Sequence, residues 1–126
     1  MPFEMSDKVI YIAGPYTGVF HDHRSYSEID RNISAARDAS ILLANAGVPY
    51  FCPHMHSAHY ELITPAVPAA FWYKLDIHFL EACDGILMLP GWYDSRGSKE
   101  EKRLMEEWGR PVFFEAEDAI AWARMD

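Results

Sequence analysis

The sequence contains little cysteine: Cys52 and Cys83 are its only two, and neither belongs to a CxxC pair. This scarcity argues against a disulfide scaffold and a cysteine zinc site, and it fits a reducing cytoplasm. Long apolar runs are also missing, since no stretch approaches the ~20 residues that a membrane span requires. No signal-peptide pattern is present at the start. We therefore expect a cytoplasmic protein without a membrane partner.

Positive charge is scarce as well, because 11 Lys and Arg stand against 19 Asp and Glu, for a formal net charge of −8. Polymeric nucleic acids and anionic membranes need a basic face, so we expect neither as a partner. A mononucleotide is compatible with this charge, because a few backbone N–H groups can hold one phosphate. The 126 residues, half of them apolar, suffice for a single domain over 1–126, with 1–7 as a loose leader.

Short apolar segments alternate along the chain with segments of helical periodicity. This β–α alternation predicts a parallel sheet with right-handed crossovers and helices on both faces. Ligands bind beyond the carboxyl ends of such strands, where we expect the long loops after Ala13, Cys52 and Leu89 to form one cleft. Ser27 is expected to cap the first helix and Gly47 to end it. The predicted strands are 8–13, 48–52, 86–89 and 111–115, the later helices are 68–83, 98–108 and 117–125, and 53–66 is predicted as a loop.

Glu101 shares one face of a predicted helix with Leu104, Met105 and Trp108. A carboxylate on an inward face beside a cleft is costly, and the helix dipole would favour its ionised form. Glu101 is therefore a candidate nucleophile or electrostatic stabiliser. The segment Ser98-Lys-Glu-Glu101 also matches a capping box, in which Glu101 bonds the Ser98 backbone, and the pattern alone slightly favours this structural role.

Asp76 lies on the preceding predicted helix, among Trp72, Leu80 and Cys83. Apolar surroundings raise the pKa of a carboxyl and suit it to general acid catalysis. The alternative is a boundary residue whose carboxylate reaches water or a backbone N–H, which is the more frequent case for a single aspartate.

Three histidines, His54, His56 and His59, cluster in the predicted loop after the second strand. HxHxxH is a loose pattern and HExxH is absent, so ordinary loop or cleft histidines are favoured over a metal site. We expect no metal and no cofactor, and a metal-dependent enzyme is the weakest of the alternatives. GxGxxG, GxxxxGK[ST] and GxSxG are also absent, which argues against a dinucleotide loop, a triphosphate loop and a serine hydrolase.

Polar and aromatic residues near the predicted cleft are candidates for holding a small ligand. Thr17 and the backbone of its loop, together with Ser95 and Ser98 at the next helix start, could meet a phosphate or carboxylate. Four aromatic side chains could stack on a base. These are Tyr16, Trp72, Trp92 and Tyr93.

Three segments resemble the nucleoside 2-deoxyribosyltransferase-like superfamily, and most closely its small bacterial and phage branch. The superfamily includes deoxynucleoside 5′-monophosphate N-glycosidases, and the similarity runs from about residue 8 to residue 115. The segments are Val9-Ile-Tyr-Ile-Ala-Gly-Pro-Tyr-Thr-Gly18, Cys83-Asp-Gly-Ile-Leu-Met-Leu-Pro-Gly-Trp92 and Ser95-Arg-Gly-Ser-Lys-Glu-Glu101, together with Asp76.

The resemblance implies a flavodoxin-like α/β fold, a parallel sheet of four to five strands, and a homo-oligomer in which a neighbour helps to complete the pocket. It implies that Glu101 is the nucleophile on the anomeric carbon, that Asp76 orients it or protonates the base, and that Tyr11 supports it. Where the hydrolase branch has Ser and Arg, this chain has Pro15 and Tyr16, which weakens phosphate binding by that loop. The implied substrate-binding residues are Gly14, Tyr16, Thr17, Trp92, Ser95, Gly97 and Ser98.

The resulting hypothesis is an enzyme that cleaves or transfers at the N-glycosidic bond of a nucleoside or nucleoside 5′-monophosphate. Oxocarbenium character at the anomeric carbon would be trapped by one carboxylate, and the departing base would be protonated by a second carboxyl. A non-catalytic nucleotide-binding module on the same fold is the alternative.

Overall fold

The computed structural model describes residues 4–16 and 26–125. Four parallel strands form one sheet in this part of the chain, in the order β2-β1-β3-β4. This is a doubly wound, flavodoxin-like α/β arrangement, as expected from the sequence. The strands are β1 (Ile10–Ala13), β2 (Tyr50–Phe51), β3 (Gly85–Met88) and β4 (Val112–Phe113). The helices are α1 (Tyr26–Asn45), α2 (Pro53–His56), α3 (Tyr60–Ile63), α4 (Ala69–Glu81), α5 (Arg96–Glu107), α6 (Ala116–Ala123) and the 3-10 helix η1 (Trp92–Asp94).

The two faces of the sheet bury separate apolar clusters because side chains alternate along each strand. Ile10 and Ile12 of β1 pack with Leu43 of α1 and with α6. Tyr11 of β1 packs on the opposite face with Leu80 of α4 and with α5. Both faces are therefore covered by helices, as the β–α alternation predicts.

The order in which strands are added to the sheet reverses between β1 and β3. The chain passes from β1 outward to β2, and then returns across β1 to β3, with which β1 pairs over four residues. The connections that leave the carboxyl ends of β1 and β3 therefore run to opposite sides. Such a switch point opens a crevice at the edge of the sheet, which is where ligands bind in this class of fold.

Helix α1 follows the predicted periodicity but not the predicted start. Gly47 ends it at φ 74°, a left-handed conformation that glycine adopts without penalty. The prediction that Ser27 caps the helix is wrong, because Tyr26 is already helical. The face predicted to be buried is buried throughout and consists of Ile29, Ile33, Ala36, Ser40, Leu43 and Gly47.

Two further segments differ from the sequence expectation. Residues 53–66, predicted as a loop, contain α2 and α3, since Pro53 takes the first helical position and His59 separates the two turns at φ 61°. Residues 4–7, predicted as loose, are held by hydrogen bonds: Ser6 N–H donates to Gly47 O at 2.8 Å and Arg124 donates to Glu4 O at 3.2 Å. None of the helices described here combines the length and apolar character needed to cross a membrane.

Candidate active site

A cavity of about 500 Å³ opens at the carboxyl edge of the sheet, beside the switch point between β1 and β3. Its volume lies within the ~300–1,000 Å³ typical of small-molecule sites. The segments after β1, β2 and β3 all contribute to its wall, together with α4, so the predicted convergence of three long loops is confirmed.

Glu101 reaches this cavity from the inward face of α5 and is only 7% exposed. The Tyr11 hydroxyl donates a hydrogen bond to Glu101 Oε2, which leaves Oε1 for a ligand. Burial raises the pKa of Glu101 to about 8, the hydrogen bond from Tyr11 opposes this shift, and the charge of Asp76 adds to it. Tyr11 is itself fully buried, and its pKa is raised further by burial, so it stays a donor.

The expectation that the helix dipole keeps Glu101 ionised is wrong. Helix α5 begins at Arg96, two residues earlier than predicted, which makes Glu101 its sixth residue. The favourable field of a helix N-terminus is confined to about the first turn. Desolvation therefore decides the protonation of Glu101, and the neutral form is favoured below about pH 8.

The early start of α5 also removes the capping-box interpretation. Ser95 is the N-cap residue, and its Oγ accepts a hydrogen bond from Ser98 N–H at 3.2 Å. Ser98 is thus the third residue of the helix and is buried, while Glu101 bonds Tyr11 and not the Ser98 backbone. The Glu101 carboxyl therefore does not cap the helix, as the sequence pattern had suggested.

Asp76 is the second carboxyl in the cavity, and it projects from α4. Burial raises its pKa to about 7. No hydrogen bond to this carboxyl occurs within the described part of the chain, so its oxygens are open to a ligand in the cavity. Of the boundary-residue alternative, the bond from a backbone N–H is not found among the described residues, whereas Asp76 is partly exposed, so its contact with water stays a prediction.

Glu101 and Asp76 form an acid pair that titrates near neutral pH. The charge of Asp76 adds to the raised pKa of Glu101, whereas burial alone raises the pKa of Asp76. With pKa values of about 7 and about 8, the pair holds one proton between these pH values. One carboxyl is then an acid while the other is a carboxylate, which is the division of roles that glycosyl transfer needs.

Most of the predicted ligand-binding residues line the same cavity. Gly14 lies where β1 passes β3, and a Cβ there would come within 2.9 Å of Leu89 Cβ, so this position requires glycine. Thr17 lies outside the described residues. Of the residues predicted to bind substrate, five line the cavity: Gly14, Tyr16, Ser95, Gly97 and Ser98.

Tyr16 is held in place by the histidine-rich segment. His59 N–H donates to the Tyr16 hydroxyl at 2.7 Å, and Asn32 Nδ2 donates to Tyr16 O at 3.1 Å. His54 is buried and lines the cavity, and its Nε2 lies 2.8 Å from Pro15 O. Burial lowers the pKa of His54, so it is neutral and donates this hydrogen bond.

The three histidines do not converge on a metal site. His54 bonds Pro15, His59 pairs with Asp30 at 3.0 Å, and His56 packs against Phe51 and Phe79. Within residues 4–16 and 26–125, no three His, Cys, Asp or Glu side chains lie close enough together to hold a metal ion.

Trp92, which was expected to bind substrate, does not line the cavity. Its ring packs against Phe114 at 5.8 Å and lies beneath the Lys102 ammonium, outside the cavity wall. Trp92 is the first residue of the 3-10 turn η1. Tyr93 is mostly exposed and does not line the cavity either. Of the four aromatic candidates, Tyr16 and Trp72 reach the site.

Tyr73 is a lining residue that the sequence reading missed. Burial and the nearby Glu100 and Glu101 charges raise the pKa of its hydroxyl to about 12, so it remains protonated. A signal was present, since Tyr73 precedes Asp76 by three residues and such pairs share a helix face. The apolar pattern around Asp76 indicated Trp72 and Leu80 but not Tyr73.

The fold and site together define a doubly wound α/β protein with a ligand-sized acidic cleft at the switch point of its sheet. The chain belongs to the family described as "Domain of unknown function (DUF1937)", whose model matches residues 8–117. No curated protein matches the chain.

Proposed function

We propose that this protein cleaves or transfers at the N-glycosidic bond of a nucleoside or nucleoside 5′-monophosphate. The observation that carries the proposal is the acid pair, Glu101 and Asp76, from consecutive long helices in one cavity, with Tyr11 bonded to Glu101. The resemblance of the surrounding motifs to nucleoside 2-deoxyribosyltransferase-like proteins supports it.

Glu101 acts as the nucleophile in this reaction. Its carboxylate Oε1 bonds to the anomeric carbon as the carbon–nitrogen bond breaks, and the electron pair of that bond goes to the base. Tyr11 fixes the carboxylate through Oε2 and lowers the pKa of Glu101, which increases the ionised fraction.

Asp76 acts as the general acid. Glu101 has the higher pKa of the pair, so the reaction proceeds from the less populated singly protonated form, in which Asp76 carries the proton and Glu101 is ionised. Asp76 donates this proton to the departing base. Water or a second base then attacks the glycosyl ester, and the Asp76 carboxylate accepts the proton from water or from the incoming base. Hydrolysis and transfer differ only in this acceptor.

The test is incubation with a mixed pool of nucleosides and nucleotides, followed by mass detection of free bases and exchanged nucleosides. Base release by the unmodified protein and its loss in Glu101→Gln are expected, with Glu106→Gln, an exposed glutamate on the same helix, as the matched control. Saturable binding without any release would support the nucleotide-binding module instead.

The role of Asp76 is tested with two substrates that differ in their need for an acid. Asp76→Asn is expected to slow base release from guanosine by about 10²–10⁴-fold. The base of 7-methylguanosine is already cationic and leaves without protonation, so its release is expected to fall far less. An equal loss on both substrates would contradict the acid role.

A further inference from the structure

The polar groups that face the proposed site create a negative electrostatic environment. Glu101 and Asp76 both line the cavity, and no Lys or Arg does so among the residues that the structure describes. The titratable lining groups around Asp76 are Tyr16 after β1, His54 of α2, Tyr60 of α3, Tyr73 of α4 and Glu101 of α5, with Tyr11 and Cys52 behind them.

The two carboxylates raise the pKa of several neighbouring groups. The charge of Asp76 raises the pKa of Glu101, of Tyr11 and of the Cys52 thiol. The charge of Glu101 raises the pKa of Tyr73. His54 is neutral, so it does not offset the carboxylates. A further negative charge in the cavity is therefore unfavourable beside each of these side chains.

The start of α5 offers only part of its backbone N–H groups to counter this field. The backbone N–H groups of a helix N-terminus are the usual anion donors. Here Ser98 N–H bonds Ser95 Oγ and Lys99 N–H bonds Ser95 O, so among the described hydrogen bonds only the N–H groups of Arg96 and Gly97 are left for an anion. Glu101 and Asp76 face the same space. Asp76, which is open to ligand, can accept hydrogen bonds from hydroxyl or amino groups, whereas it repels a phosphate.

We propose that the cavity selects an uncharged nucleoside over its 5′-phosphate, with Asp76 as the specificity-determining residue. This inference rests on the proposed function, because it chooses between the two substrate classes which that function leaves open. The selection strengthens as pH rises, since both carboxyls are largely protonated at pH 6 and ionised at pH 9.

The experiment compares the four common 2′-deoxynucleosides with their 5′-monophosphates and their uncharged 5′-O-methyl ethers. Dissociation constants are measured by calorimetry at pH 6 and pH 9, and base release is followed in parallel. At pH 9 the monophosphate is expected to bind at least about tenfold more weakly than the nucleoside, while the methyl ether binds nearly as well. Rejection of the methyl ether as well would show that size and not charge excludes the phosphate, and would overturn the proposal.

Asp76→Asn provides the decisive variant, with Asp38→Asn, an exposed aspartate on α1, as the control. The free monophosphate has the same charge in the experiments with all three proteins, so differences in binding arise from the substituted side chain. Asp76→Asn is expected to reduce the selectivity ratio at pH 9 by about tenfold, and Asp38→Asn to leave it unchanged. Equal or tighter binding of the monophosphate, or no binding of any probe, overturns the selection. Selective binding without base release would sustain the selection while the proposed reaction fails.

Discussion

A buried carboxyl with a raised pKa costs folding stability, and Glu101 is the clearest case at the scale of single residues. Its pKa rises from an ordinary value of 4.5 to about 8 in the folded protein. The folded state therefore binds more protons than the unfolded state between these pH values, and stability falls as pH rises through that window. The cost to folding stability is absent below about pH 4.5 and fully present above about pH 8.

We expect Glu101→Gln to stabilise the protein at high pH. The amide is uncharged, close in shape, and still accepts the Tyr11 hydrogen bond through its oxygen. The difference in unfolding free energy between variant and parent is expected to be small at pH 5 and to reach about 1–3 kcal/mol at pH 9. Urea denaturation at the two pH values measures it. Glu106→Gln, at an exposed site, should show no such pH trend, and a trend of equal size there would refute the assignment.

At the scale of elements, the start of α5 decides what Glu101 can do. The sequence pattern pointed to Ser98 as the cap because a glutamate follows three residues later, but the helix begins after Ser95. Local pattern matching could not choose between two serines three residues apart. Packing decides, since Ser98 is buried and Ser95 lies where the chain is still extended.

A paired substitution tests this boundary. Ser95→Ala removes the side-chain acceptor for Ser98 N–H and is expected to cost about 1 kcal/mol. The alternative cap would place that cost in Ser98→Ala, through loss of the hydrogen bond that Glu101 N–H would donate to Ser98 Oγ. Circular dichroism melts of Ser95→Ala and of Ser95→Thr, which retains an acceptor, measure the cost. Similar losses in both would contradict Ser95 as the cap.

At the scale of the whole molecule, the acid pair exists only because β1, α4 and α5 meet at the switch point of the sheet. Neither α4 nor α5 alone would hold a carboxyl out of water. Because the fold buries both carboxyls, it sets the pH dependence of the proposed reaction. Below about pH 7 both carboxyls are protonated and the nucleophile is lost, and above about pH 8 both are ionised and the acid is lost.

We expect a bell-shaped profile of kcat/KM with its maximum between about pH 7 and pH 8. Initial rates of base release from an uncharged nucleoside across pH 5–10 measure it. In Tyr11→Phe the hydrogen bond that lowers the pKa of Glu101 is lost, so the alkaline limb of the profile should shift to higher pH. A profile that rises steadily to pH 10 would exclude an acid with a carboxyl pKa.

The sequence by itself determined the layered α/β architecture, because alternating periodicities of two and 3.6 residues leave few ways to bury apolar faces. It also identified Glu101 as an inward-facing acid, since helix periodicity is a local property. The motif resemblance implied that Tyr11 supports Glu101, but only the tertiary structure shows the hydrogen bond that joins them across 90 positions of chain, and it alone decided that Trp92 lies outside the cavity wall. These outcomes depend on contacts between segments distant in sequence, and local periodicity carries no information about such distances.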